Sequence, residues 1–114
     1  MKEIRAIVRK NRLDRLRTAL RGIPNFPGVT VYRADGFTAP SAVTKRTVQD
    51  QLTDFTEKLM VCVLCPDEMV ETVRLAIVES CQTGMIGDGL VWVVNVEEIH
   101  RVRDNQRLDG VSAG

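Results

Sequence analysis

Apolar and polar positions change period several times along the chain, and each change marks an element. From Lys2 to Val8 the pattern alternates, with Ile4, Ala6 and Val8 on one side and the charged Glu3 and Arg5 between them, which predicts a half-buried strand. Leu13, Leu16 and Leu20 then recur at helical spacing; Asn11 offers a cap, Gly22 a stop, and Pro24 and Pro27 cannot extend the helix. The β-branched and aromatic stretch "GVTVYRADGF" predicts a second strand from about Val29 to Gly36-Phe37. "KLMVCVLC" predicts a third, from Lys58 to Cys65, stopped by Pro66. Asp67 is placed to cap a following helix that starts at Glu68, turns Met69, Val70, Val73, Ala76 and Ile77 toward the sheet, and ends near Gln82. "LVWVVNV" is the fourth strand, and "EIHRVR" reads as a short edge strand.

The stretch 38–56, "TAPSAVTKRTVQDQLTDFT", is polar, threonine-rich and without a period. Connections longer than roughly 12–15 residues are uncommon in compact domains, so this loop is a candidate for ligand closure or partner contact. The order strand, helix, strand, loop, strand, helix, strand is a doubled unit. It predicts an α+β fold, a ferredoxin-like βαββαβ subunit with a short C-terminal edge strand. Helices cover only one face of such a sheet. Because "LMVCVL" and "LVWVV" are apolar on both alternations, the other face is expected to be buried by self-association.

The length of 114 residues fits a single domain, 1–114, with 104–114 as a tail. Sixteen basic and fifteen acidic side chains leave a net charge of +1, so any anion site must be local. No apolar run approaches the roughly 20 residues that span a bilayer, and the start "MKEIRAIVRKNR" carries charge through its apolar part, so a cytoplasmic location is expected. Three cysteines, Cys62, Cys65 and Cys81, are expected to be free packing thiols. Cys62 and Cys65 have redox-motif spacing, but on a strand they face opposite ways. Aromatic residues make up 4% of the chain and no stacking pair falls on a central strand, which argues against RNA binding on the sheet.

Candidate chemistry concentrates in Gly84-Met85-Ile86-Gly87-Asp88-Gly89, between the second helix and the fourth strand. Glycines let backbone amides approach an anion closely, although a tight turn would also use Asp88-Gly89. Arg101 and Arg103, two apart on the expected edge strand, would project from one face and could close on phosphate oxygens. His100 lacks partners at ligand spacing, so no metal site is expected. Asp88, Glu97 and Glu98 read as a turn aspartate and a helix-start pair, with no nucleophile or base beside them and hence no catalytic residue. An acylphosphatase-type enzyme on this fold would need a glycine-rich phosphate turn near the first strand, and "IVRKNRLD" has none.

The stretch "TGMIGDGLVWVVNVEEIHRVR" resembles the signature of the PII nitrogen-regulatory signal proteins, in which Thr-Gly-Lys-x-Gly-Asp-Gly-Lys precedes a strand and an Arg-x-Arg. The likeness extends through "MKEIRAIV", "LDRLRTAL", "GVTVYRADGF" and "DFTEKLMVCVLCPDEMVETV". The resemblance implies a non-catalytic homotrimer, with no cofactor, that takes ADP, AMP or ATP as an effector in clefts between subunits. Its T-loop, here 38–56, would dock on a target protein, for example a membrane transporter. Carried over by motif, Thr83, Gly84, Met85, Ile86, Gly87, Asp88 and Gly89 would wrap phosphate, with Arg101 and Arg103 reaching in from a neighbouring subunit. Val29, Thr30, Gly36, Phe37, Cys62 and Leu64 match positions at or beside the base and ribose pocket.

Departures from the pattern alter what is expected. Met85 and Leu90 stand where the family loop is basic, so ATP should lose most and ADP or AMP should be preferred. Thr38-Ala39-Pro40 replaces the glutamine-bearing start of the T-loop that holds 2-oxoglutarate and magnesium; Lys58 alone remains as a candidate small-ligand residue. Residues 38–56 contain no tyrosine, which excludes control by uridylylation there. The alternative is a PII-like trimer with a decayed nucleotide site that senses a small ion, metal or bicarbonate.

Overall fold

The computed structural model describes residues 1–37 and 56–108, and within them the doubled unit is present. Strand β1 (Lys2–Arg9) leads to helix α1 (Leu13–Arg21) and strand β2 (Thr30–Gly36); strand β3 (Thr56–Cys65) leads to helix α2 (Val70–Cys81) and strand β4 (Gly89–Asn95). The strands lie in the order β2-β3-β1-β4, and every neighbouring pair is antiparallel. Each helical crossover therefore skips one strand, α1 passing over β3 and α2 over β1, which is the ferredoxin-like arrangement the period changes predict. Of the expected long loop, 38–55 lie outside the described residues, and Thr56 already belongs to β3.

Register explains the core. Ile4 pairs with Val63 and Val93, and Ala6 with Val61 and Val91, so these side chains share the face beneath the helices. Leu59 and Cys65 lie on the same side of β3, and Leu16 and Leu20 from α1 with Val73, Ile77 and Cys81 from α2 close over them. Each fully buried side chain of this size contributes on the order of 1.5–3 kcal/mol. The cysteines are free: burial holds the Cys65 and Cys81 thiols above the usual value, whereas Cys62 lies half-buried on the other face. No helix among the described residues is long and apolar enough to cross a membrane.

Three local expectations are corrected. Asn11 does not cap α1, because β1 runs straight into a 3-10 turn, Lys10–Arg12, that places Asn11 inside it. Asp67 does not cap α2 either; it begins a second 3-10 turn, Asp67–Met69, and its carboxylate instead meets the N-terminal amine of Met1 at 3.1 Å. Finally, "EIHRVR" adds no fifth strand to the sheet among the described residues. The segment folds back on itself through one bridge, His100 to Arg107, around a turn in which Asn105 adopts φ 59°. Arg101 N donates to Gln106 O at 2.9 Å and Leu108 N to Ile99 O at 2.9 Å, so the polar groups an edge strand would offer the sheet are used within the turn. Glu97 and Glu98 start no helix; Glu98 Oε2 lies 3.7 Å from His100 Nε2 and 3.9 Å from Arg107 Nη1.

Across the sheet from the helices, Cys62, Leu64, Ile7, Tyr32, Leu90, Trp92 and Val94 form a second apolar face around the buried Met60, half-buried to exposed in the single chain. Arg5 sits at its centre, its guanidinium 5.7 Å from the centre of the Trp92 ring. Bonds to Tyr32 and Cys62 raise its pKa further.

Packing depth predicts the stability response. Leu16→Ala, at a site 1% exposed, should cost about 2–5 kcal/mol, whereas Leu75→Ala on the outer side of α2, 41% exposed, should cost under about 1 kcal/mol. Chemical unfolding of the two variants beside the parent measures the difference.

Candidate functional site

The glycine loop closes around its own aspartate. Asp88 accepts hydrogen bonds from the amides of Thr83 at 2.7 Å and Gly84 at 2.9 Å, and from the Thr83 hydroxyl. The Thr83 hydroxyl also accepts from Met85 N at 3.2 Å, and Asp88 N donates to Met85 O at 3.3 Å. Arg9 Nε approaches the same carboxylate at 3.3 Å while its Nη2 donates to Ile86 O at 3.0 Å. These donors, the Thr83 hydroxyl first, hold the Asp88 carboxyl far below the usual aspartate range. The loop is thus both a tight turn and a nest of amides, and an internal anion occupies the part of the nest made by Thr83 and Gly84. The amides of Ile86 and Gly87 donate to no group among the described residues.

Gly89 is required where the loop enters β4. A Cβ there would stand 1.7 Å from Ile7 O and 2.8 Å from Ile7 C, and the residue adopts φ 110°. Gly87, at φ 98°, lies under the Arg9 guanidinium, with 3.1 Å between a Cβ position and Nη2. Lys58 approaches from β3, its Nζ donating to Gly87 O at 3.4 Å. Partial burial and then the neighbouring Arg9 charge lower the Lys58 pKa, against the pull of Asp88.

Of the expected site residues, Thr83 to Gly89, Lys58 and Gly36 come together: a Cβ on Gly36 would lie 3.7 Å from Lys58 Cγ. Phe37 follows at the exposed end of β2. Val29, Thr30, Cys62 and Leu64 form a separate group, lining with Glu3, Pro27 and Gly28 an open groove of about 440 Å³. The two groups do not converge in one chain. Along β1 the loop joins at Val8 and the groove at Glu3, five residues or about 17 Å apart. Arg101 and Arg103 do not share the face of an extended strand, since the segment is a turn. Arg101 forks onto Asp104, at 3.1 Å from Nε and 2.6 Å from Nη2, and also donates to Gln106 Oε1 at 2.6 Å. Arg103 is exposed.

Arg9 is the residue of the candidate site that sequence reasoning missed. It continues the odd-numbered side of β1 and pairs in register with Lys58, a signal that appears only once β1 and β3 are known to be neighbours. The two apolar replacements are prominent: Met85 is 70% exposed, Leu90 71% and Ile86, between them, 64%. The mouth of the loop is therefore apolar where a polyphosphate would need cations. Among the described residues no cluster of three or more His, Cys, Asp or Glu side chains could hold a metal ion.

Comparison with known proteins finds relatives over nearly the whole chain. Residues 1–106 match the family described as "Nitrogen regulatory protein P-II". A "Nitrogen regulatory protein P-II" of Rhizobium meliloti (strain 1021) is 38% identical over 113 residues, covering 97% of this chain and 100% of that protein. The protein of the same name from Azospirillum brasilense is 34% identical over 94% of this chain and 96% of its own length. "Nitrogen regulatory protein P-II 1" of Escherichia coli (strain K12) is 33% identical over 96% and 97%.

Two variants test the loop. Gly89→Ala should destabilise by more than the roughly 1–3 kcal/mol of a strained φ, because the backbone of β1 blocks the new methyl, whereas Gly84→Ala, with nothing within 4 Å, should cost only the strain. For Asp88 the sign follows from a folded-state pKa below the unfolded one: its contribution is complete above the unfolded value, about 3.9, and fades as pH falls through the folded value. The melting-temperature gap between the parent and Asp88→Asn should hold steady above about pH 5 and narrow in acid. Thermal unfolding across pH reads it directly.

Proposed function

The chain belongs to the nitrogen regulatory protein P-II family, whose name denotes regulation and no catalysed reaction, and we propose that it acts as a homotrimeric nucleotide-responsive regulator. Adenine nucleotide binds in clefts between subunits, where the loop Thr83–Gly89 of one protomer faces groups supplied by another. The observation that carries this reading is the pre-shaped loop: Asp88 and Arg9 fix its shape, and the amides of Ile86 and Gly87 donate to no group among the described residues. Separation of the loop from the Val29, Thr30, Cys62 and Leu64 groove within one chain supports a shared cleft, because a neighbouring copy could bring the second group to the first. The partly exposed apolar sheet face around Tyr32, Leu90 and Val94 supplies a reason for copies to associate.

ADP or AMP is the preferred ligand. Two amides suit few phosphate oxygens, and Met85 and Leu90 offer no charge to the outer ones. Each missing charge-assisted contact is worth on the order of 1.5–3 kcal/mol. Arg103, and Arg101 once it exchanges Asp104 for phosphate, complete the site from the adjoining subunit. The nucleotide signal passes to a target protein, an enzyme or a membrane transporter, through residues 38–56, which lie outside the described ones except for Thr56.

A second reading, a trimer with a decayed nucleotide site that senses bicarbonate or a metal ion, is favoured by the internal neutralisation: Asp88 fills part of the amide nest and Asp104 holds Arg101. Thermal stability separates the two, since a ligand specific to the folded state raises it. The first reading expects ADP or AMP to raise the melting temperature more than ATP, and Arg101→Ala and Arg103→Ala to abolish the rise. Met85→Lys combined with Leu90→Lys should strengthen ATP binding at least about tenfold in a calorimetric titration. Stabilisation by bicarbonate or a divalent metal, with no response to any nucleotide, would establish the second. ATP binding tenfold tighter than both ADP and AMP would refute the preference.

A further inference from the structure

On the helix side of the sheet, a groove of about 370 Å³ runs between α1 and the edge strand β2. Its floor is apolar, made by Leu13, Leu20, Phe26, Val31 and Leu59, and its rim is basic: Arg17 and Arg21 stand one helical turn apart on α1, with Arg33 opposite on β2. From Lys10 to Arg21 there are five cations and one carboxylate, Asp14, while the whole chain nets only +1. The rim is poorly neutralised. Arg17 Nη1 lies 3.6 Å from the exposed Asp14, and Arg33 Nη1 lies 3.7 Å from a Glu57 oxygen that Lys10 already holds at 2.6 Å. Arg15 and Arg21 have no ionic partner among the described residues.

We infer that this groove is a docking site for an acidic peptide segment of a partner protein, one that seats a large apolar side chain on the floor and sets carboxylates against both arginine walls. Concavity favours a side chain over a bilayer, whose flat surface would meet the rim and leave the floor empty. Three guanidinium groups on two walls exceed what a single carboxylate can use, so the occupant carries several acidic groups in a row. The outer side of β2 pairs with no other strand among the described residues, and an extended segment lying along it could also take up main-chain hydrogen bonds. Apart from Tyr32, shared with the apolar sheet face, and Val29, shared with the groove beside Cys62, its lining lies on the helix side and includes no residue of the glycine loop, so this inference does not depend on nucleotide binding.

The test is selection of a random-peptide display library on the full chain in its native oligomeric state, followed by fluorescence anisotropy with the synthesised winners. The enriched peptides should place two or more Asp or Glu around a Leu, Phe or Met. Their affinity should fall with added salt and drop at least about tenfold when Arg21→Glu and Arg33→Glu are combined. Both residues are exposed, so an unchanged melting temperature certifies the fold of the variant. Val31→Arg, which charges the floor, should weaken the same peptides. A library that returns no peptide dependent on these arginines overturns the inference. So does binding of the parent to phosphatidylglycerol-containing vesicles that needs Arg21 and Arg33 while no selected peptide does.

Discussion

Strand β1 is the constraint on which the rest of the structure depends. It is the strand whose seven residues Lys2 to Val8 are paired on both sides, with β3 and with β4, so its two faces set the character of the two sheet surfaces. Even-numbered Ile4, Ala6 and Val8 form the floor on which both helices rest. Odd-numbered Arg5, Ile7 and Arg9 face the other way, among Cys62, Met60 and Lys58. A shift of one residue would exchange the two sets, burying guanidinium groups beneath α1 and α2 and exposing the core, which is why the register is strongly specified. The close approach of Gly89 to Ile7 O ties the glycine loop to this same strand, so the geometry of the loop is inherited from the sheet.

Within the loop, one anion does the work that an external one could do. Asp88 takes the amides of Thr83 and Gly84 and draws Arg9 over the top, leaving an arrangement organised before any ligand arrives. Such preorganisation lowers the ordering cost of binding, and it also uses donors that a longer polyphosphate would need. The same trade appears in the turn after β4, where Asp104 and Gln106 hold Arg101. Both features restrict how much negative charge the region can accept, in keeping with the apolar side chains at positions 85 and 90.

The fold was legible because period and burial coincide. Alternation in β1 and the helical spacing of Leu13, Leu16 and Leu20 each reflect a face pressed against one core, so local pattern and tertiary packing agree. Helix starts were not legible, because 3-10 turns at Lys10–Arg12 and Asp67–Met69 absorb the residues expected to cap, and the N-terminal amine claims Asp67. The segment after β4 misled for a related reason. Its extended appearance ignored Asp104 and Asn105, whose side chain and left-handed backbone turn the chain back on itself. In the candidate site, the loop was visible as a cluster of glycines, but its closure by Arg9 and Lys58 arises from pairing between strands some fifty residues apart. No window of neighbouring residues contains that contact.

A net charge near zero describes this molecule poorly, because the charges are sorted by surface. Arginines crowd α1, faced by Arg33 from the middle of β2, where Asp14 and Glu57 offset only part of their charge. Acidic Asp67, Glu68, Glu97 and Glu98 instead gather near the N-terminal amine, at the end of the sheet remote from the glycine loop. Screening limits each such charge to a reach of about 8–10 Å at ordinary ionic strength, so patches act separately and the sum over the chain has little meaning for any one partner. An apolar groove with a basic rim, an apolar sheet face and an amide loop with an apolar mouth are therefore three distinct surfaces on a small domain. They differ in what they would bury: carboxylates around a side chain, another copy of the chain, and a phosphate. The three adjoin: Leu90 belongs both to the loop mouth and to the sheet face, and Tyr32 lines the groove as well as that face, so binding at one surface sits beside the next, which suits a protein that relays a signal between partners.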